Sequence, residues 1–135
     1  MNCPCHSGEN YGDCCGPYHS GDRACETALM LMRSRYSAYA LDLTGYIIET
    51  THPKSPLYEK DKEVWKKSIH HFSKTTAFQG LTIDSFDETH VTFFARLNTL
   101  GKDTSFREAS LFEKLKGRWY YLGSCGAWGP AKLQD

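Results

Sequence analysis

The sequence has neither surplus charge nor a long apolar run. Sixteen basic side chains face sixteen acidic ones, for a formal net charge of zero over 135 residues, and no block of like charge extends beyond a few positions. Bulk electrostatic binding to nucleic acid or to an anionic membrane grows with the number of phosphates neutralised, so this balance argues against both. No stretch approaches the roughly eighteen apolar residues of a membrane-spanning helix, and the N-terminus reaches cysteines without a basic segment and apolar core before them. The expectation is a soluble, unexported, cytosolic protein. Its length suits one domain with a real hydrophobic core plus a small appendage.

What is present begins with cysteine. Four of the six cysteines fall in the first fifteen residues, in the segment CPCHSGENYGDCC. In a reducing compartment such clustering points to metal or catalysis ahead of disulfides. Cys3 and Cys5 form one close pair and Cys14 and Cys15 an adjacent one, with eight residues between the pairs. A short turn containing Ser7, Gly8 and Gly12 can bring the pairs together. Four sulfurs around one ion is the closed tetrahedral shell that marks structural zinc, so one structural Zn2+ is expected on Cys3, Cys5, Cys14 and Cys15. A disulfide pair, a redox-active thiol cluster, and His6 or His19 in place of Cys15 are the competing assignments. The loop is too short for a core of its own, and its order must come from the ion and from docking onto the rest of the chain.

Beyond the cysteines, Leu29, Met32, Tyr36, Tyr39 and Leu43 recur at helical spacing, with Arg33, Arg35 and Asp42 off that stripe, and predict a helix over Thr27–Leu41. A shorter helix over Thr44–Thr51 must stop before Pro53. Val64, Trp65, Ile69 and Phe72 predict a third over Asp61–Ser73. After Lys74 the period changes to two: strands are expected near Leu81–Phe86, over His90–Leu97, over Thr104–Lys114 after a turn at Gly101–Asp103, and over Trp119–Gly123. Helices followed by an antiparallel meander give an α+β fold, about three helices packed on one face of a curved, mainly antiparallel four-stranded sheet that closes into a cone.

Two resemblances add to this reading. The cysteine spacing and loop resemble the SEC-C motif, with His6 standing where the motif usually has glycine, and the element order resembles the nuclear-transport-factor-2-like fold. GPYHSG, LMRSRYSAY, THP and SLFEKLKGRWYYLG, in that order behind the cysteines, are similar to the YchJ family of bacterial proteins. The resemblance implies a zinc knuckle over residues 1–22 and a nuclear-transport-factor-2-like domain over residues 23–135. Many members carry a second SEC-C motif at the C-terminus. Here GSCGAWGPAKLQD holds one cysteine, so that second knuckle is expected to be absent. No activity follows from the resemblance.

Candidate chemistry gathers on the cone. Arg33 and Arg35 beside Tyr36 and Tyr39 offer guanidinium forks and rings that could take a carboxylate or phosphate; the alternative is that the tyrosines pack in the core and the arginines cover it or pair with Glu108. His52, at the end of the second helix, is either an acid–base group or a cap on the last carbonyls. Glu108 and Ser110 share a strand face with Phe106 and Phe112, a polar pair among apolar neighbours. With Trp119, these residues make up the expected ligand pocket, whereas Cys25 and Cys125 read as small buried residues. Three functions are weighed. The first is an adaptor that binds another protein through the knuckle, the use associated with SEC-C tails. The second is a small-molecule enzyme of isomerase or hydratase type using the cavity, with Arg33, His52 and Glu108 as its groups. The third is RNA or ribosome binding through the knuckle, disfavoured by Glu9 and Asp13 and by the lack of a basic residue before Arg23.

Overall fold

The computed structural model describes residues 1–127, with side chains through Ser124. A 3-10 turn at Tyr11–Asp13 leads into α1 (Gly16–Ser20), followed by α2 (Ala28–Ala40), α3 (Thr44–Glu49) and α4 (Lys62–Thr75). The strands are β1 (Thr76–Phe86), β2 (His90–Thr99), β3 (Lys102–Asp103), β4 (Phe106–Leu115) and β5 (Arg118–Ala127). They form one antiparallel sheet in the order β1-β2-β4-β5, with the two-residue β3 paired to β2. The architecture is the expected α+β cone, with α1 and β3 as additions too short for sequence periodicity to mark.

Local chemistry sets the boundaries. Thr27 caps α2 by accepting from the Met30 amide, and Asp61 caps α4 by accepting from Glu63 and Val64. Two hairpins turn on pairs with positive φ, Leu100–Gly101 and Lys116–Gly117, the geometry that matches strand twist. The first pair therefore moves the expected turn back, leaving Lys102 and Asp103 to pair with Thr99 and Asn98. β1 starts at Thr76, earlier than expected, and β1 and β4 shift register at Phe78/Gly80 and Ala109/Ser110, irregularities that bend the sheet around the helices.

Helix α2 is the axis of the fold. Rather than one stripe, it buries Ala28, Leu31, Met32, Ser34, Arg35, Tyr36, Ser37 and Ala38. The small residues among them let neighbours approach from several sides, so Arg35, expected off the buried face, is enclosed. Val64 also departs from its expected place, standing 53 % exposed while Trp65 and Ile69 of the same helix are buried. One core cluster runs from Cys3, Cys5 and Cys15 through Leu31, Met32 and Tyr36 to Val91, Phe93 and Phe112 on the sheet. The cysteine segment is thus packed into the main core. Cys25 is buried beside Ser34 and Tyr46. The side chain of Cys125 and the tail beyond Ala127 lie outside the described residues.

Candidate metal centre and cavity

The sulfurs of Cys3, Cys5, Cys14 and Cys15 all lie within 4.8 Å of one another. Cys5 and Cys14 are 3.6 Å apart and Cys14 and Cys15 3.9 Å, close to the edge of about 3.8 Å that four sulfurs take at a bond length of ~2.3 Å around tetrahedral zinc. Donor number, type and spacing all fit a metal ion with a closed shell. As thiols, Cys5, Cys14 and Cys15 are coupled: Cys5 is held down to about 4, first by a hydrogen bond from Cys15, whose own thiol is pushed up chiefly by that bond. Burial raises Cys14 to about 11. A divalent cation would replace the thiol protons with its own charge.

The surrounding groups fix the loop. Ser7 Oγ lies 3.2 Å from Cys14 Sγ, and Arg33, half-buried on α2, donates from Nη1 to the Cys5 carbonyl at 3.2 Å and approaches its sulfur at 3.7 Å. Gly16 is required for space: a Cβ there would lie 2.8 Å from the Tyr11 carbonyl oxygen. His6, in the glycine position of the motif, adopts φ 62°, the left-handed conformation that glycine takes without cost. Its imidazole compensates, with Nε2 3.1 Å from the Phe78 carbonyl and the ring edge-on to Tyr36. His19 is likewise committed. Nε2 donates to the Ser34 carbonyl at 2.8 Å, which leaves Nδ1 to accept from Tyr11 at 2.6 Å, and burial lowers its pKa, favouring that neutral form. Both histidines therefore serve docking, and the four cysteines make up the candidate metal site.

A separate cavity of about 550 Å³ opens between the helices and the concave sheet. Its mouth is marked by the exposed Leu57, Glu59, Val64 and Ser68; its walls are aromatic, including Trp65, Phe72, Phe78, Phe93 and Phe106; and its buried end holds Arg35, Thr51, Glu108, Ser110 and Tyr121. Arg35 donates from Nη1 to Ile47 O at 3.2 Å, Thr50 Oγ1 at 2.8 Å and Thr51 Oγ1 at 3.0 Å, and its guanidinium sits 4.7 Å from the Tyr121 ring centroid. Glu108 Oε2 accepts from Ser110 at 2.5 Å and from Tyr121 at 2.9 Å. Burial, and then the Glu108 charge, raise the Tyr121 pKa, so its hydroxyl remains a donor.

Of the expected pocket residues, Arg35, Tyr36, Tyr39, Glu108 and Ser110 line this cavity. Arg33, His52 and Trp119 lie elsewhere. Arg33 is drawn to the knuckle by the Cys5 carbonyl. His52 is 3 % exposed, accepts at Nδ1 from the Lys54 amide and meets Glu113 at 2.6 Å through Nε2, so it pins the loop after α3 rather than capping that helix or facing the cavity. Trp119 donates to the Glu26 carbonyl at 3.2 Å, on the side of the core near the start of α2. The three groups weighed for catalysis, Arg33, His52 and Glu108, are therefore not gathered in one place. Thr51, Tyr121 and the mouth residues were not anticipated in the pocket; they come from the loop after α3, from α4 and from β5, which only the tertiary fold brings together.

Comparison with known proteins agrees with this geometry. A family model described as the middle NTF2-like domain of YchJ matches residues 27–124, and a SEC-C motif model matches residues 2–17. A UPF0225 protein of Actinobacillus succinogenes is 37 % identical over 128 residues, covering 90 % of this chain and 80 % of the relative. One from Deinococcus radiodurans is 38 % identical over 121 residues, covering 89 % and 85 %. Among solved structures, a SEC-C motif containing protein from Rhodopseudomonas palustris superposes with a TM-score of 0.75 at 35 % identity, over 92 % of this chain and 97 % of the other. Another, from Psychrobacter arcticus, gives 0.70 at 31 % identity, over 89 % and 79 %.

Proposed function

The chain belongs to the YchJ (UPF0225) family, and from that premise we propose that it is a small-molecule-binding protein whose cysteine cluster holds one structural zinc ion and whose cone is the ligand site. One observation carries the reading: a cavity of about 550 Å³ with aromatic walls, an exposed mouth and a buried polar end. Its size and lining are those of sites that enclose a small organic molecule, with apolar walls for affinity and a few polar groups for orientation. Zinc is the ion that a closed shell of four thiolates favours. The ion's part is architectural: three of its four ligands are buried in the core that supports α2, the helix that supplies Arg35 and Tyr36 to the cavity.

An adaptor role for the knuckle stands as a separate proposal drawn from the SEC-C motif. The packing of the cysteines into the core accounts for the knuckle without an outside partner, which favours the cavity reading. N-phenyl-1-naphthylamine, a neutral dye that brightens in apolar surroundings, tests it. The native protein is expected to bind the dye with saturable fluorescence. A Ser68→Trp variant, which places a ring at the exposed mouth without disturbing the core, should block it. Absence of binding by the native protein, or equal binding by the Ser68→Trp variant, would remove the reading.

A further inference from the structure

Arg35 is 6 % exposed as a whole residue, yet its guanidinium is only partly used by the protein. All three of its protein hydrogen bonds leave from Nη1, to neutral oxygens of Ile47, Thr50 and Thr51. Among the described residues no acceptor takes Nε or Nη2, and no carboxylate forms an ion pair with this side chain. Among those residues the fully buried side-chain nitrogen and oxygen atoms without partners are Asp42 Oδ1 and Ser73 Oγ. Nε and Nη2 are therefore not sealed in the interior, and Arg35 is one of the residues that line the cavity.

Those two nitrogens form one edge of the guanidinium. Their N–H bonds run parallel, at the spacing that receives both oxygens of a carboxylate, the strongest and most directional pairing arginine makes. Among the described residues no carboxylate pairs directly with this buried cation; Glu108 at the same end is engaged by Ser110 and Tyr121, so an anionic ligand would supply the direct pairing. The Nη1 bonds and the stack on Tyr121 fix the guanidinium plane in advance, which reduces the entropy lost on binding.

We infer that the cavity takes an organic acid with a flat apolar body, its carboxylate held bidentately by Nε and Nη2 of Arg35. This rests on the cavity being a ligand site. Glu108, at the same buried end, opposes a second negative charge, and Ser110 and Tyr121 temper that opposition by donating to its Oε2. Arg35 thus favours the acid and Glu108 limits its affinity.

The test compares 2-naphthoate with its neutral isostere 2-naphthamide by calorimetry, while NMR follows the Arg35 Nε–H resonance. Native protein is expected to bind the acid about tenfold or more tightly than the amide, as a bidentate charged pair implies, and the acid alone should shift the Nε–H signal strongly. Arg35→Gln should erase the preference. Glu108→Gln should enlarge it, and this keeps the test decisive if the Arg35 variant fails to fold. Equal binding of acid and amide, acid binding without movement of the Nε–H signal, or a Glu108→Gln variant with weaker acid binding would overturn the inference. Binding of the amide and the neutral dye without the acid would sink the head-group assignment and leave the cavity reading intact; binding of none of the three would sink both.

Discussion

Replacing Gly16 by alanine should weaken metal binding although no ligand is touched. The new Cβ would stand 2.8 Å from the Tyr11 carbonyl oxygen and 3.3 Å from its ring, and the oxygen is backbone that also accepts from the Cys14 amide at 3.1 Å. The ring can rotate, but the carbonyl can retreat only by moving the turn that carries Cys14 and Cys15. Overpacking of this kind costs about 1–3 kcal/mol, and alanine's advantage over glycine in a helix, at most about 1 kcal/mol, offsets part of it. A net loss of about 1–2 kcal/mol lowers affinity roughly 5- to 30-fold, since about 1.4 kcal/mol is tenfold. Competition with a chromophoric zinc chelator reads that change directly. Gly12→Ala is the control, because a Cβ at Gly12 meets nothing within 4 Å and its φ is ordinary. Equal zinc affinities for the two variants would refute the claim that the Gly16 contact sets the positions of the last two ligands.

Arg33→Gln removes the donor to the Cys5 carbonyl and the positive charge beside its sulfur, and is expected to lower zinc affinity by about 10- to 100-fold in the same competition, the range for groups that orient metal ligands. His6→Gly should leave stability within about 1 kcal/mol of native, because relief of the left-handed strain offsets the lost contact with Phe78. His6→Ala, which keeps the strain and loses the contact, should be less stable than His6→Gly by about 1 kcal/mol in urea unfolding of the zinc-loaded protein. Burial raises the Tyr36 phenol from 10.0 to about 12, so its contribution is intact below pH 10 and is lost as the pH climbs through 12. Urea midpoints should fall across that window, and fall less in Tyr36→Phe.

Legibility in the sequence tracked how local each signal is. Four sulfurs in two close pairs are a short-range pattern, so Cys3, Cys5, Cys14 and Cys15 could be named together before any fold was known. The helix around Trp65 and the strand around Phe93 also show themselves, because their apolar periods stand out against polar neighbours. Arg35 was misplaced because a helix buried on nearly every side has no single stripe; Ser34, Ser37 and Ala38, small residues that admit close neighbours, were the available signal. His52 reads as reactive from its residue type alone, and only the tertiary partners Glu113 and Lys54 assign it to a loop. Arg33 is the clearest example of long-range determination: its partner Cys5 lies twenty-eight residues away, and nothing near Arg33 distinguishes it from Arg35. The cavity's buried end joins Thr51 to Tyr121 across seventy residues, a juxtaposition fixed by the bridge between the end of α3 and β5.

The central claim is that one zinc ion on four cysteines ties the N-terminal segment into the core. A native mass spectrum of protein purified without chelators tests it most directly, with a Cys14→Ser variant alongside. The account predicts one zinc ion per chain in the native protein and its loss in the variant. Metal-free chains two hydrogens lighter per cysteine pair would mean disulfides and would contradict it.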